Sequence, residues 1–348
     1  MSKLRTPLSK INDYPVYLNN CWQLHLRERD INAPTVISTF AGCGGSSLGY
    51  SMAGFRELLA IEWDKNAVET FKLNFADIPV IQDDIAKISV EQIFEITKLN
   101  KYELDVLDGS PPCQGFSTAG KRMIDDPRNK LYKEYVRILS GLQPKAFVME
   151  NVSGMVKGKM KLIFADILNG LKSCGYKVSV RLLNAMYYGV PQSRQRLIFI
   201  GFRNDLGIEP SHPEPKYKPI NVIDAWHGKS LDGEKLYFDK SSPIYEYIIK
   251  TKPGKSVSSI HPKGYYFNWN RLTYNKPSRT IPKTCNGVIH PEENRSLTLN
   301  EFKRLGSFPD DFKFINNYRF ASGQIGNSVP PLFMMEIAKY VREKLLTI

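Results

Sequence analysis

The chain has no pair of cysteines at metal-ligand or redox spacing. Cys21, Cys43, Cys113, Cys174 and Cys285 are odd in number, scattered, and never form C-x-x-C. That argues against a disulfide framework and a zinc cluster and leaves reduced thiols. His25, His212, His227, His261 and His290 show no ligand spacing either, so no metal is expected. No apolar run approaches the roughly 18 residues that span a bilayer. The opening Met1-Ser2-Lys3-Leu4-Arg5 leads into polar sequence without the apolar block of a secretory signal. A cytoplasmic protein with no membrane partner is expected. G-x-G-x-x-G and G-K-[ST] are missing too, which disfavours a dinucleotide or a triphosphate as ligand. No internal repeat or low-complexity tract is present.

What remains is an ordinary globular composition, 42% hydrophobic and 24% charged over 348 residues. A chain of that length buries a full core and divides into more than one unit. Its net charge of +13 points to a polyanionic partner. Without a basic amphipathic anchor, nucleic acid is favoured over lipid.

From Pro34 to Gly201 short apolar runs alternate with helical patterns, the signature of an open, mostly parallel α/β sheet of the doubly wound kind. Strands are expected at Thr35 to Phe40, Leu58 to Glu62, Val80 to Gln82, Leu104 to Asp108, Ala146 to Glu150, Val178 to Leu183 and Leu197 to Gly201. Helices are expected at Lys130 to Leu142, Met160 to Ser173 and, after Pro330-Pro331, Leu332 to Leu345. After Gly201 prolines, lysines and tyrosines dominate and the βα rhythm stops, which predicts a second, irregular or β-rich domain. Within it Tyr265-Tyr266-Phe267-Asn268-Trp269-Asn270-Arg271 mixes aromatics with amides. Such side chains stack on bases and read their edges, or else form the core of a small β domain. Residues 1–33 form a polar extension with helical character around Cys21 to Arg29.

Chemistry concentrates at a few turns. Pro111-Pro112-Cys113-Gln114 follows the apolar run that ends in Asp108-Gly109 and sets a thiol past a buried strand, behind two prolines that fix the backbone. A nucleophile fits there. Phe40-Ala41-Gly42-Cys43-Gly44-Gly45 occupies the first strand-to-helix turn, where glycines let the backbone approach a nucleotide-like ligand. Glu62 ends the second strand, where an acid binds ribose hydroxyls; Asp83 and Asp84 end the third.

In this order the pattern resembles the DNA (cytosine-5) methyltransferase family, of the prokaryotic restriction-modification type, over nearly the whole chain. The glycine loop resembles the family's S-adenosyl-L-methionine loop, and Gly109 to Ser117 its nucleophile motif. Glu150-Asn151-Val152 resembles the acidic motif, and Gln192-Ser193-Arg194-Gln195-Arg196 the Q-x-R-x-R block. Arg295 to Pro309 resembles the segment that organises the recognition domain, and Gly326-Asn327-Ser328-Val329-Pro330 the last motif.

The resemblance implies a Rossmann-like methyltransferase fold over 34–201 with 324–348 returning to it, target recognition at 202–290 and a hinge at 291–323. It implies that Cys113 adds to carbon 6 of a flipped-out cytosine in duplex DNA and that Glu150 stabilises the ring as general acid. The plain structural alternative for Glu150 is a strand-end carboxylate paired with an arginine. Arg194 and Arg196 orient the base and bind phosphate, and Arg196 is favoured for the base because alternation along a strand puts both on one face. Gln114 to Asn129, rich in Gly, Ser, Lys and Arg, is suited to close over the flipped base. For the cofactor the resemblance implies Phe40 on the adenine, backbone contacts from Gly42, Cys43 and Gly45, Glu62 on the ribose and Trp63 over the ring. Asp84 with Ile85 holds the adenine edge, with Asp83 as the other register, and Pro112, Leu131, Asn327, Ser328 and Val329 complete the pocket. Ser38-Thr39 departs from the Asp-Leu of many members. A monomer on DNA with a companion restriction endonuclease is the expected setting. The competing expectations are a tRNA cytosine methyltransferase, whose Cys-Phe-Thr mark is missing here, and an inactive DNA-binding paralogue.

Overall fold

The computed structural model describes residues 7–112, 131–156, 160–227, 231, 233–284, 287–315 and 317–347. Cys113 and the segment expected to close over the base therefore lie outside the described residues. The chain divides into two compact units.

The larger unit takes in Leu24–Leu183, Gln195–Pro213 and Met334–Ile348. Its strands, in chain order, are β1 (Thr35–Thr39), β2 (Arg56–Ile61), β3 (Val80–Ile81), β4 (Val106–Gly109), β5 (Ala146–Val152), β6 (Tyr176–Asn184) and, after the two-residue β7 (Gln192–Ser193) of the other unit, β8 (Gln195–Arg203). All seven expected strands are present. They form one sheet in the order β3-β2-β1-β4-β5-β8-β6. The chain runs outward from β1 to β3, then returns to β4 on the other side of β1, so the order reverses between β1 and β4, where doubly wound folds hold their ligands. β1 is buried at all five positions, as a central strand covered on both faces must be.

β1, β2, β3, β4 and β5 are mutually parallel, whereas β8 runs antiparallel to β5. Register aligns Thr39 with both Ile61 and Gly109, Ile61 with Ile81, and Gly109 with Met149. β1, β2, β3 and β4 thus end in line while β5 continues past Met149 to Val152, and the residues at and just past these ends share one edge of the sheet. Helices α2 (Gly45–Met52), α3 (Lys65–Asn74), α4 (Val90–Thr97), α5 (Leu131–Leu142) and α6 (Met160–Ser173) connect them, preceded in the chain by α1 (Tyr14–His25). The core packs Ile37, Leu59, Leu107, Phe147 and Phe199 of the sheet against Tyr135, Ile138, Leu139, Ile167 and Leu171 of α5 and α6.

The smaller unit takes in the chain up to Gln23, Asn184–Arg194 and Glu214–Phe333. The division differs from the one expected. Residues 291–323, expected as a hinge, fall wholly in this unit, and so does the chain from 324 to Phe333. The extension is used rather than loose, for the hydroxyl of Tyr14 in α1 donates to Arg304 O at 2.9 Å. Among the described residues this unit is irregular rather than β-rich. Its ladders, β7 with β10 (Ser278–Arg279) and β9 (Asn270–Arg271) with β11 (Val288–Ile289), are two residues long. Its helices α7 (Val222–Trp226), α8 (Tyr245–Lys250), α9 (Leu299–Leu305) and α10 (Tyr318–Asn327) follow, and α11 (Pro331–Leu345) belongs to the larger unit from Met334 onwards. The buried Arg271 of β9 ties the surrounding segments together by donating to the carbonyls of Thr251, His290, Glu293 and Ile248 and to Asn294 Oδ1.

Candidate active site

The turn after β1 is shaped for a ligand. Phe40, Gly42 and Gly44 all have positive φ, at 54°, 57° and 96°. That region is open to glycine but costly for a bulky residue such as Phe40. A side chain at Gly44 would strike Phe75 at 2.4 Å, so the turn must come close to α3. At Gly42, by contrast, an added Cβ would meet nothing within 4 Å, which leaves a space bordered by backbone. Cys43 is buried and Gly45 opens α2.

Glu62, one residue past β2, closes the loop. Its Oε2 accepts from Gly42 N at 2.8 Å, and its Oε1 from Trp63 N at 3.0 Å and Asp64 N at 2.9 Å. Burial raises its pKa, against the pull of those three donors. Trp63 beside it is 76% exposed, an indole left uncovered next to a preformed turn. Past β3, Asp84 accepts from Ala86 N at 3.1 Å and Asp83 from Asp84 N at 2.7 Å; both acids are exposed, while Ile85 is buried in the core. Arg137 on α5 pins this turn by donating to Ile85 O and Ile88 O, each at 2.9 Å.

Past β4, Pro111 is buried and Pro112 half-buried. The Asn151 side chain, itself buried, donates to Pro111 O at 3.1 Å and accepts from Val152 N at 2.8 Å. The backbone two residues before Cys113 is thereby tied to β5. Glu150 is buried beside it, with Oε1 2.6 Å from Arg196 Nε. Leu131, at the start of α5, packs half-buried against the core. The larger unit thus brings Phe40, Gly42, Cys43, Gly45, Glu62, Trp63, Asp84, Ile85, Pro112, Leu131, Glu150 and Arg196 into the turns, strand ends and helix starts at one end of its sheet.

Arg194 is different. The strand is interrupted at this residue, so Arg194 and Arg196 do not alternate on one strand face as expected. Arg194 belongs to the smaller unit, where it is buried and its Nη1 donates to Ile281 O at 3.2 Å and Gly326 O at 3.0 Å. It holds the carbonyl that precedes Asn327-Ser328-Val329. There Gly326 leaves no room for a side chain, since a Cβ would lie 2.1 Å from Pro282 O. Asn327 is exposed, Ser328 ends α10 by donating to Gln324 O at 2.7 Å, and Val329 is buried.

A sheet edge that presents an open glycine turn, an oriented acid, a clamped Pro-Pro turn and a carboxylate with an arginine suits group transfer from a nucleotide-like donor to a polar ring. The family profile described as C-5 cytosine-specific DNA methylase matches residues 34–343. The chain belongs to the C-5 cytosine-specific DNA methylase family. Among curated relatives, the methyltransferase is 39% identical over 324 residues to the Type II methyltransferase M1.HphI of Haemophilus parahaemolyticus, covering 88% of this chain and 86% of that one. It is 32% identical to M.NgoFVII of Neisseria gonorrhoeae, covering 89% and 87%. Among solved structures it resembles a candidate DNA modification methyltransferase from an Escherichia coli prophage, with TM-score 0.75, 28% identity, and 90% and 100% of the two chains covered.

The methyltransferase contains an acidic pair that the motifs do not announce. Asp108 on β4 is fully buried opposite Ser38, with Tyr50 Oη 3.4 Å from its Oδ1 and a further hydrogen bond from Ser46. Burial pushes its carboxyl up to about 8. Burial likewise raises Glu57 to about 7, where Ser47 donates to its Oε1 at 2.9 Å. The two acids therefore hold the first turn of α2, just behind the glycine loop. The available signal was an acid inside the apolar run Asp105-Val106-Leu107-Asp108-Gly109. Arg137 gave none, since it reads as the solvated face of α5.

Proposed function

We propose that this DNA cytosine-5 methyltransferase acts through a covalent adduct between Cys113 and carbon 6 of a cytosine flipped out of a specific duplex sequence. Carbon 5 of cytosine is a poor nucleophile, and addition of a thiolate at carbon 6 makes it enamine-like. As the carbon–sulfur bond forms, the ring electron pair moves towards nitrogen 3. Glu150 stabilises that charge by giving or sharing a proton there, and Arg196 holds both the carboxylate and the base. Carbon 5 would then bond to the electrophilic methyl group that bound S-adenosyl-L-methionine supplies, the pair of the broken sulfur–methyl bond staying on the sulfur of the S-adenosyl-L-homocysteine product. Loss of the carbon 5 proton then expels Cys113 and restores the ring.

The observation that carries this reading is the hydrogen bond from Asn151 to Pro111 O, beside Glu150 and ahead of Cys113. It ties the backbone two residues ahead of Cys113 to the strand that bears the acid, which supports a shared site for the two. The open side of Gly42, the oriented Glu62 carboxylate and the exposed Trp63 indole fit an adenosine-bearing cofactor. Glu62 would hold ribose hydroxyls, Phe40 and Trp63 the adenine, and Asp84 with Ile85 its edge. A cytoplasmic monomer that protects DNA from a companion restriction endonuclease suits relatives named Type II methyltransferases.

Labelled-methyl transfer to duplex DNA, single-stranded DNA and tRNA tests the substrate. Label in duplex DNA alone is expected, and label in tRNA alone sinks the proposal. Cys113→Ser is expected to abolish turnover with cofactor affinity kept. Persistent methylation by that variant would remove the covalent step. Bisulfite sequencing of DNA from an expressing host reads the target.

A further inference from the structure

Between Glu246 and Glu292 the chain carries no acidic residue, yet six lysines and two arginines. In the middle of this stretch stand three consecutive exposed aromatics, Tyr265 (58%), Tyr266 (40%) and Phe267 (55%). Single exposed apolar side chains need no explanation, but three in a row on a built support do.

The support is specific. Gly264 and Tyr266 both have positive φ, 65° and 63°, and the second is an outlier for an aromatic residue. The turn is held from inside. His261 Nδ1 faces the N–H groups of Lys263 at 3.2 Å and Tyr265 at 3.4 Å, while Gly264 N donates to His261 O at 2.9 Å. Ser256 Oγ lies 3.0 Å from Phe267 O, and Trp269 N donates to Tyr266 O at 2.9 Å. Behind the turn, Trp269 packs on the cluster of Ile244, Ile248, Val257 and Ile289. The aromatic run is therefore divided between a core anchor, Trp269, and a presented tip.

Ring geometry at the tip is fixed as well. The Tyr265 ring stacks on His261 at 5.1 Å and 21°, and His261 in turn contacts Tyr247 at 4.7 Å. One face of Tyr265 is thus used, and the ring is already oriented before any partner arrives. Lys255, Lys263 and Arg279 are exposed, and among the described residues no carboxylate pairs with them. Arg279 is steadied by donating to Asn270 Oδ1 at 2.8 Å.

We infer that the turn from Ile260 to Phe267 is a base-contacting finger, in which Tyr265 and Phe267 stack on bases of the target duplex while Lys255, Lys263 and Arg279 hold neighbouring phosphates. This rests on the DNA methylation reading above and names the side chains that would do the reading. Aromatic faces carry no hydrogen-bond code, so contact by stacking requires a base face freed by kinking or unstacking the duplex. The cations supply the sequence-independent part of binding.

Duplex affinity with S-adenosyl-L-homocysteine bound tests it, on the target found by bisulfite sequencing and on a non-target of equal length. Tyr265→Ala/Phe267→Ala is expected to lose about tenfold or more on the target, the size of one or two stacking contacts, and little on the non-target. Lys255→Ala/Lys263→Ala/Arg279→Ala is expected to weaken both alike and to flatten the salt dependence. Cofactor affinity serves as the folding control, since these side chains lie on the surface. An active enzyme whose aromatic variant keeps both its affinity and its target preference overturns the inference alone. A wild-type chain that methylates no duplex removes it together with the reading on which it rests.

Discussion

Arg196 and Glu150 meet across two antiparallel strands, with Nε 2.6 Å from Oε1 and both side chains almost closed off from water. Val152 faces Arg196 and Glu150 faces Ile198, so the pair is diagonal on one face of the sheet. The ion pair is compatible with the proposed catalytic role, in which the same guanidinium that satisfies Glu150 would share a base with it.

Glu150→Gln keeps the shape of the pair and removes the acid. Its kcat is expected to fall about a hundredfold or more, the usual size of a lost general acid, with unchanged cofactor affinity. Single-turnover methylation measures the chemical step directly. A rate within a factor of two of wild type would sink the assignment. Arg196→Ala instead strands a buried carboxylate and is expected to lower stability by about 3 kcal/mol as well as activity.

Asn151→Ala leaves the carbonyl of Pro111 without this buried donor. A loss of about 1–2 kcal/mol in stability is expected from the unmade hydrogen bond. If Asn151 also positions the thiol, kcat falls more than this stability loss explains at a temperature where the variant is fully folded. Full activity of the folded variant would limit Asn151 to a structural role.

Much of this was legible in the sequence because buried parallel strands read as short apolar runs bounded by turn residues. Ala146-Phe147-Val148-Met149 is such a run, and the acid that follows it, Glu150, lies on the same strand, β5. Less was legible where distant partners decide. The break at Arg194 depends on the carbonyls of Ile281 and Gly326, 87 and 132 residues along the chain, so strand alternation gave the wrong geometry. The smaller unit escaped because residues such as Arg271 satisfy backbone carbonyls there, and side-chain hubs leave no periodic trace.

Asp108 makes stability depend on pH. Below about pH 4 it is protonated in both the folded and the unfolded chain. As pH rises from there towards 8 the unfolded chain ionises while the folded one holds its proton, so stability falls across this window and levels off above it. Glu57, raised to about 7, acts in the same direction. Asp108→Asn mimics the neutral form, and thermal unfolding should show it more stable than wild type at pH 8, with the advantage fading towards pH 4. Parallel pH profiles for the two proteins would contradict this.

Glu301 has two tasks that substitution separates. Its carboxylate pairs in bidentate fashion with the buried Arg295, Oε2 to Nη1 at 2.8 Å and Oε1 to Nη2 at 2.9 Å. It also closes the capping box of α9, accepting from Thr298 N at 2.8 Å while Glu301 N donates to Thr298 Oγ1 at 3.2 Å. Glu301→Gln retains an acceptor for the cap but removes the buried one of the guanidinium's two charge partners, for which about 3 kcal/mol of destabilisation is expected. Glu301→Ala loses the cap as well, adding about 1 kcal/mol. Urea unfolding distinguishes the two. If the glutamine variant unfolds at the wild-type midpoint, Glu293, whose carboxylate lies 3.0 Å from Arg295, suffices to hold the arginine and the pair is redundant.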